Sequence, residues 1–261
     1  MYLSARTRLA LRIASYGALA LLYIPLLLIL LFSFNTAKSF SFPPDGLTLH
    51  WWGDTFASDG PRTALVGSLR TAAGATAIAL VLGTMAGFAI ARFKFFGRDT
   101  ISLAIILPIA LPGIVTGLAL NASFLEVLGL ELGFLTLTIA HATFCIVVVF
   151  NNVVARLRRI SPSLEEASAD LGAHTFQTFR HVTFPMIRSS VLAGAVLAFA
   201  LSFDEIVVTN FTSGGTDKTL PQWILNNIFR PNQLPQVNVV AVVVVLLSII
   251  PVYVTQRLAN D

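Results

Sequence analysis

The chain alternates between long apolar runs and short polar segments. Six runs approach or exceed the ~20 residues that a helix needs to cross a bilayer core. They cover roughly residues 13–34, 64–91, 101–125, 133–155, 190–211 and 237–256. The predicted architecture is an all-α membrane protein with six transmembrane helices. The polar interruptions reach only about 25 to 35 residues, too short to house an independent core, so residues 1–261 are expected to form one transmembrane domain. The first run follows Arg6, Arg8 and Arg12 in the manner of a signal peptide. It is too long for a signal h-region and no small-residue cleavage site follows Phe34, so it is read as a retained anchor.

Composition narrows the class. Hydrophobic residues make up 56% of the chain and charged residues 11%, against about 45–50% and about 25% in soluble domains. With a mean hydropathy of +0.80, too little polar surface remains for a soluble enzyme, a nucleic-acid-binding domain or a disordered chain. The net charge of +4 is scattered between apolar runs, which records topology rather than a nucleic-acid partner. Arg6, Arg8, Arg12, Arg92, Lys94, Arg98, Arg156, Arg158, Arg159, Arg180, Arg188 and Arg257 fall on one side of the six spans. Lys38, Arg62, Lys218 and Arg230 fall on the other. The positive-inside rule then puts both termini in the cytoplasm. One cysteine, Cys145, and four scattered histidines offer no disulfide framework and no metal-ligand spacing.

Two polar segments stand out. The first outer loop carries Trp51-Trp52, readable as an interfacial aromatic belt in contact with membrane lipid or as a docking or stacking surface on the substrate pathway. The stretch 156–189 between the fourth and fifth runs opens with a basic cluster and continues Ser161-Pro162-Ser163-Leu164-Glu165-Glu166-Ala167-Ser168-Ala169-Asp170-Leu171-Gly172. Ser163 and Glu166 have capping-box spacing, Pro162 suits a helix start, and the acids favour the positive end of the helix dipole. Gly172 supplies a left-handed stop, and a second helical piece, about Thr175 to His181, precedes Pro185. The expected object is helix, bend, helix: either a compact cytoplasmic knob or a connector lying on lipid headgroups.

Glu166-Ala167-Ser168, three residues, Gly172, nine residues, Val182, one residue, Phe184-Pro185 resembles the EAA motif of ABC-importer permeases. Ser168, Val182 and Phe184 depart modestly from that motif; Glu166, Ala167, Gly172 and Pro185 match it. Leu201-Ser202-Phe203-Asp204-Glu205-Ile206-Val207-Val208-Thr209, then Ser213-Gly214-Gly215 and Thr219-Leu220-Pro221, is similar to the C-type permease of spermidine/putrescine importers. The resemblance implies a MetI-like fold in a bacterial cytoplasmic (inner) membrane. It also implies a second permease as heterodimer partner, a dimer of ATPase subunits and an extracytoplasmic substrate-binding protein. Glu166, Ala167, Ser168, Gly172 and Pro185 would then couple to the ATPase. No G-x-x-x-x-G-K-[ST] loop is present, so ATP and magnesium are expected on that partner, and the chain itself is not an enzyme.

Asp204 and Glu205 form the one acidic pair inside a predicted span. Carboxylates in hydrocarbon usually face a cavity or pathway, so they suggest attraction of a cationic cargo; the competing reading is an early helix end with both acids at the interface. Asp204 is the first candidate for cargo contact, because the Ser-Phe-Asp order matches the family. Gly113 stands where polyamine-type relatives often carry an acid, a departure that also suits a monoamine, amino acid or zwitterion. Pro108 and Pro112 distort the third span, either lining a cavity with freed carbonyls or only kinking it. His141 is read as a hydrogen-bonded interior residue, and Gly83 and Gly87 as a site of close helix packing. The function expected is a permease subunit of an ATP-driven importer of polyamines or a related small amine, working by alternating access. The rival is an ATP-independent transporter or channel for a small cation.

Overall fold

The computed structural model describes residues 4–38, 40, 42–215, 219–230 and 232–260, without the side chains of 5, 250–252 and 254–260. Thr216, Asp217 and Lys218, and the side chain of Arg257, on which parts of the sequence reading fall, lie outside the described residues. Helix α1 spans Ala5–Phe32, α2 His50–Ala57, α3 Asp59–Arg92, α4 Arg98–Ala110, α5 Gly113–Ala122 and α6 Phe134–Leu157. Then come α7 Ser163–Asp170, α8 Thr175–Thr178, α9 Phe184–Phe203, α10 Val207–Thr212, α11 Leu220–Ile228 and α12 Leu234–Asn260. Wider π-turns over Ser123–Val127 and Phe179–Thr183 extend α5 and join α8 to α9. No strand is present among the described residues beyond the single pairing of Asn35 with Leu47. In hydrocarbon, helices satisfy their backbone groups within the segment, which is why an apolar chain of this kind is helical.

All six apolar runs are helical, but not all are simple spans. Among the described residues α1, α3, α6 and the continuous stretch Thr175–Phe203 are each long and apolar enough to cross a membrane. Helices α4 and α5 add a fifth if taken together, bent by 106° at their junction. The last run is helical over Leu234–Asn260, with a described apolar part Leu234–Ile249.

The third and fifth runs are broken. Leu111 precedes Pro112 and is extended (φ −84°, ψ 146°), because the proline ring disfavours the helical region for the residue before it. The fifth run, expected to be helical to residue 211, ends its long helix at Phe203 and restarts at Val207. The Glu205 carboxylate accepts the Val208 N–H at 2.8 Å, satisfying a donor that the new helix start leaves open. The chain therefore turns at the acidic pair, not beyond it.

By internal contacts the chain divides into two compact units, residues 1–62 with 224–261, and residues 63–223. In the first, α1 and α2 pack on α12. Helix α1 is apolar on every side, with Leu9, Ile13, Tyr16 and Leu21 all exposed, as suits a helix whose solvent is lipid or another chain. In the second, α6 is the central element. It buries Leu137, Phe144, Val149, Phe150, Val153 and Leu157, packing on α9 and α10. Helix α3 meets α6 through glycine: a Cβ at Gly83 would stand 2.9 Å from Val149 Cβ and 3.0 Å from the Ile146 carbonyl oxygen. One at Gly87 would stand 2.9 Å from Val153 Cγ1. The Gly83-x-x-x-Gly87 pair is thus the surface on which two spans touch, since small residues let helix backbones approach.

Candidate functional site

The stretch between α6 and α9 is a folded knob. Helix α7 starts at Ser163 with Pro162 as its cap residue and no side-chain cap bond, so the expected Ser163–Glu166 capping box does not form. Ser161 takes the capping place, its hydroxyl accepting the Ser163 N–H at 3.3 Å and lying 2.7 Å from Ser163 Oγ. The helix ends as the glycine predicts. Gly172 has φ +86°, the Gly172 N–H donates to the Ala169 carbonyl at 2.9 Å and the Ala173 N–H to the Ser168 carbonyl at 3.1 Å. This is the paired closing pattern of a Schellman motif. Ser168, where the motif has alanine, lies 3.1 Å from Thr178 Oγ1 and so ties α7 to α8.

What pins the knob to the spans is Glu165, the neighbour of the motif's Glu166. Its carboxylate lies 2.9 and 3.0 Å from Arg92 Nε and accepts the Thr183 hydroxyl at 2.9 Å. Arg92, the last residue of α3, also donates from Nη1 to the Leu157 carbonyl at 3.1 Å and from Nη2 to the Ile160 carbonyl at 3.4 Å. These carbonyls close the end of α6, where a cation is favoured. The two side chains are 10% and 18% exposed, so the pair sits largely out of solvent. One guanidinium thereby joins the ends of α3 and α6, helix α7 and the π-turn before α9. Neighbouring helix residues point about 100° apart, so Glu165 faces inward while Glu166 is exposed, its carboxylate without a hydrogen-bond partner among the described residues. Ala167, Gly172 and Pro185 are exposed too, as are Leu164, Leu171 and Phe176. Pro185 does not interrupt the chain: the π-turn absorbs it, and Thr175–Phe203 runs as one helix from knob to span.

Gly172 can be tested alone. Nothing lies within 4 Å of a Cβ built there, so Gly172→Ala adds no clash, only the cost of about 1–2 kcal/mol for a side chain in the left-handed region. On the importer reading that the EAA-like spacing implies, the expected result is a normal yield of folded protein with fewer cargo molecules moved per ATP; normal transport with normal ATPase stimulation refutes it.

The second cluster brings the two helix breaks together. A Cβ at Gly113, the first residue of α5, would stand 3.4 Å from Val207 Cγ1, and one at Gly117 would stand 2.6 Å from the Phe211 ring. Asn121 Nδ2 donates to the Phe211 carbonyl at 2.6 Å, and Thr136 Oγ1 donates to the Thr212 carbonyl at 3.1 Å. Helix α10 is therefore strapped to α5 and α6. The position where an acid is absent, Gly113, lies beside Val207, three residues from Asp204. Asp204 is exposed and its carboxylate has no hydrogen-bond partner among the described residues, whereas Glu205 is half-buried and its carboxylate is occupied with Val208. Paired interrupted helices are where transporters commonly build substrate sites.

Trp51 and Trp52 belong to the other compact unit and have local partners there. Trp51 Nε1 donates to the Asn35 carbonyl at 2.9 Å, with the Lys38 ammonium 6.0 Å from its ring centre. Trp52 stacks on Phe34 with ring centres 5.4 Å apart. Both rings thus fasten the loop after α1. Among the described residues no cluster of His, Cys, Asp or Glu has metal-binding geometry.

The family described as "Binding-protein-dependent transport system inner membrane component" matches residues 79–260. The putrescine transport system permease protein PotI of Escherichia coli (strain K12) is 34% identical over 229 residues, 85% of this chain and 81% of the relative. The spermidine/putrescine transport system permease protein PotC of the same organism is 32% identical over 242 residues, 93% and 90% of the two chains. Among solved structures, a chain of a bacterial ABC transporter involved in import of the acidic polysaccharide alginate superposes with a TM-score of 0.73 at 18% identity. The match covers 100% of this chain and 98% of that one. An inward-facing MetNI methionine ABC transporter chain gives 0.61 at 19% identity, over 78% and 98%. At such identities the likeness carries the fold.

Proposed function

The chain belongs to the binding-protein-dependent transport system inner membrane components, and from that premise we propose that it is the permease subunit of an ATP-driven importer of polyamines. The observation that carries this reading is the knob. It has the EAA-like spacing, exposes Glu166, Leu164, Leu171 and Phe176, and is bolted to three elements through Arg92 and Glu165. A rigid polar-apolar projection continuous with α9 is suited to sit in a groove of an ATPase and to pass its closure into the spans. ATP and magnesium belong to that ATPase. A second, different permease completes the pathway, and an extracytoplasmic binding protein delivers cargo.

In this reading the chain crosses the inner membrane six times, both termini and the knob are cytoplasmic, and the paired helix breaks lie towards the outer side. Asp204 attracts an ammonium group of the cargo. The names of the relatives favour putrescine and spermidine, and the single free carboxylate of Asp204, with Gly113 supplying no second acid, suits the shorter diamine. The Asp204→Asn variant is expected to impair putrescine uptake while the complex assembles normally; unaltered uptake removes Asp204 from the pathway.

The test of the whole reading is purification of the tagged chain from its native membrane in mild detergent, with mass spectrometry of what accompanies it. Recovery of an ATPase and a second permease supports the importer. Repeated recovery of the chain alone or as a homo-oligomer overturns it in favour of an ATP-independent transporter.

A further inference from the structure

One buried side chain touches both sides of the break between α9 and α10. His141, on α6, is fully buried. Its Nδ1 lies 2.8 Å from Ser202 Oγ and its Nε2 lies 2.9 Å from Thr209 Oγ1. Ser202 is in the last turn of α9 and Thr209 in the first turn of α10. The ring therefore bridges the segment that contains Asp204, Glu205 and Ile206. Its ring centre also lies 5.4 Å from that of Phe144.

The direction of these bonds follows from counting hydrogens. Thr209 Oγ1 also lies 2.9 Å from the Glu205 carbonyl oxygen, which can only accept. A hydroxyl has a single hydrogen. For both Thr209 bonds to be made, that hydrogen goes to Glu205 and Thr209 accepts from His141 Nε2–H. If the imidazole carries only that one N–H, Nδ1 accepts the Ser202 hydroxyl hydrogen. The result is a one-way chain from Ser202 to His141 to Thr209 to the Glu205 backbone, next to the carboxylate that holds Val208.

We propose that His141, donating from Nε2 to Thr209, is a positioning residue that sets the direction of the Asp204 carboxylate by clamping both ends of the link that bears it. Buried polar groups must be bonded to be tolerated, and here both bonds of the ring go to the flanks of the link and none to its own helix. An apolar residue of similar size would keep the packing of α6 on α9 and release the link. The role of Asp204 as cargo contact rests on the function proposed above; the clamp itself does not.

The experiment uses the complete importer reconstituted in proteoliposomes and has two readouts. In the first, Asp204→Cys in a Cys145→Ala background is labelled with a membrane-impermeant methanethiosulfonate, with His141 intact or replaced by leucine. The labelling rate of the introduced thiol is expected to change in His141→Leu and to move back towards the original rate in His141→Gln, which retains a donor for Thr209. In the second, the KM for putrescine is expected to rise about tenfold in His141→Leu, equivalent to about 1.4 kcal/mol, with the maximal rate little changed. Adding Asp204→Asn to His141→Leu is expected to cost less than it does in the wild type, because coupled sites are non-additive.

Equal labelling rates with and without His141 overturn the clamp, whatever the cargo. A lower maximal rate at unchanged KM, additive with Asp204→Asn, also overturns it, since that is the mark of a purely structural residue. If His141→Leu does not assemble, Ser202→Ala and Thr209→Val each remove one of the two bonds, and the same two readouts decide. Absence of putrescine uptake by the wild type strikes at the cargo reading, and the labelling rates then decide the clamp alone.

Discussion

Replacement of Glu165 by alanine is expected to lower cargo transport by about tenfold or more, about 1.4 kcal/mol in effective coupling, while ATP hydrolysis by the assembled complex continues. Alanine removes the acceptor of both Arg92 Nε and Thr183 Oγ1 and leaves a guanidinium that is 10% exposed without its counter-charge. Breaking a buried pair in this way costs about 3–5 kcal/mol, and the 18% exposure of Glu165 argues for the low end. The loss falls where the knob is fastened, so it loosens α7 from α3, α6 and the π-turn together. Glu165→Gln keeps an acceptor and should fall between alanine and wild type. Arg92→Lys should behave nearly as badly as alanine at position 165, because an ammonium lacks the planar fork that also reaches the Leu157 and Ile160 carbonyls. The measurement is cargo moved per ATP hydrolysed in proteoliposomes; an unchanged ratio in Glu165→Ala refutes the latch.

A bulkier residue at Gly83 should destabilise the fold severely. The obstacle to its Cβ is Val149 Cβ at 2.9 Å and the backbone carbonyl of Ile146 at 3.0 Å, and backbone cannot swing aside as a long side chain can. Overpacking ordinarily costs about 1–3 kcal/mol; leucine at Gly83 adds several atoms to a helix contact already closed and should exceed that range. Gly87→Leu meets Val153 and should act in the same direction. Gly17, in α1, has nothing within 4 Å of an added Cβ, so Gly17→Leu is the matched control. The expected readout is a collapsed monodisperse peak in detergent size-exclusion chromatography and a lowered unfolding temperature for Gly83→Leu, with Gly17→Leu like wild type. Equal yields from both would show that α3 and α6 do not meet through this face.

The positions of the long apolar helices were legible because lipid imposes length and hydrophobicity on every span, whereas α2 and α11 fall outside the expected runs. The Schellman turn at Gly172 was legible as well, since few residues other than glycine adopt that backbone. The knob's real fastening was not. A motif comparison draws attention to Glu166, whereas the inward acid is its neighbour, and Arg92 is 73 positions away from Glu165 in a cluster that reads as a topological signal. No local spacing reports a bond of that separation. The break at Asp204 was visible only as one of two options: hydropathy continues through Phe211, and the helix restarts with a side chain capturing the backbone at Val208, a geometric event that hydropathy does not encode. Trp51 and Trp52 show the same limit, because their partners Asn35 and Phe34 were not separable by composition from a membrane belt or a cargo platform.

The uninterrupted course of Thr175–Phe203 has a mechanical meaning. Its 29 residues give a rod of about 44 Å at about 1.5 Å per residue, with the knob at one end and the acidic link one residue past the other. For a rod of that length, a tilt of about 5° at the knob end would sweep the far end through about 4 Å. That is more than the length of a hydrogen bond. Under the proposed function, lever length alone would convert a rotation too small to disturb the packing at the fulcrum into a displacement large enough to make or break a hold on an ammonium group. Shortening or kinking the rod, with every contacting residue kept, should reduce the stroke in proportion to the radius lost.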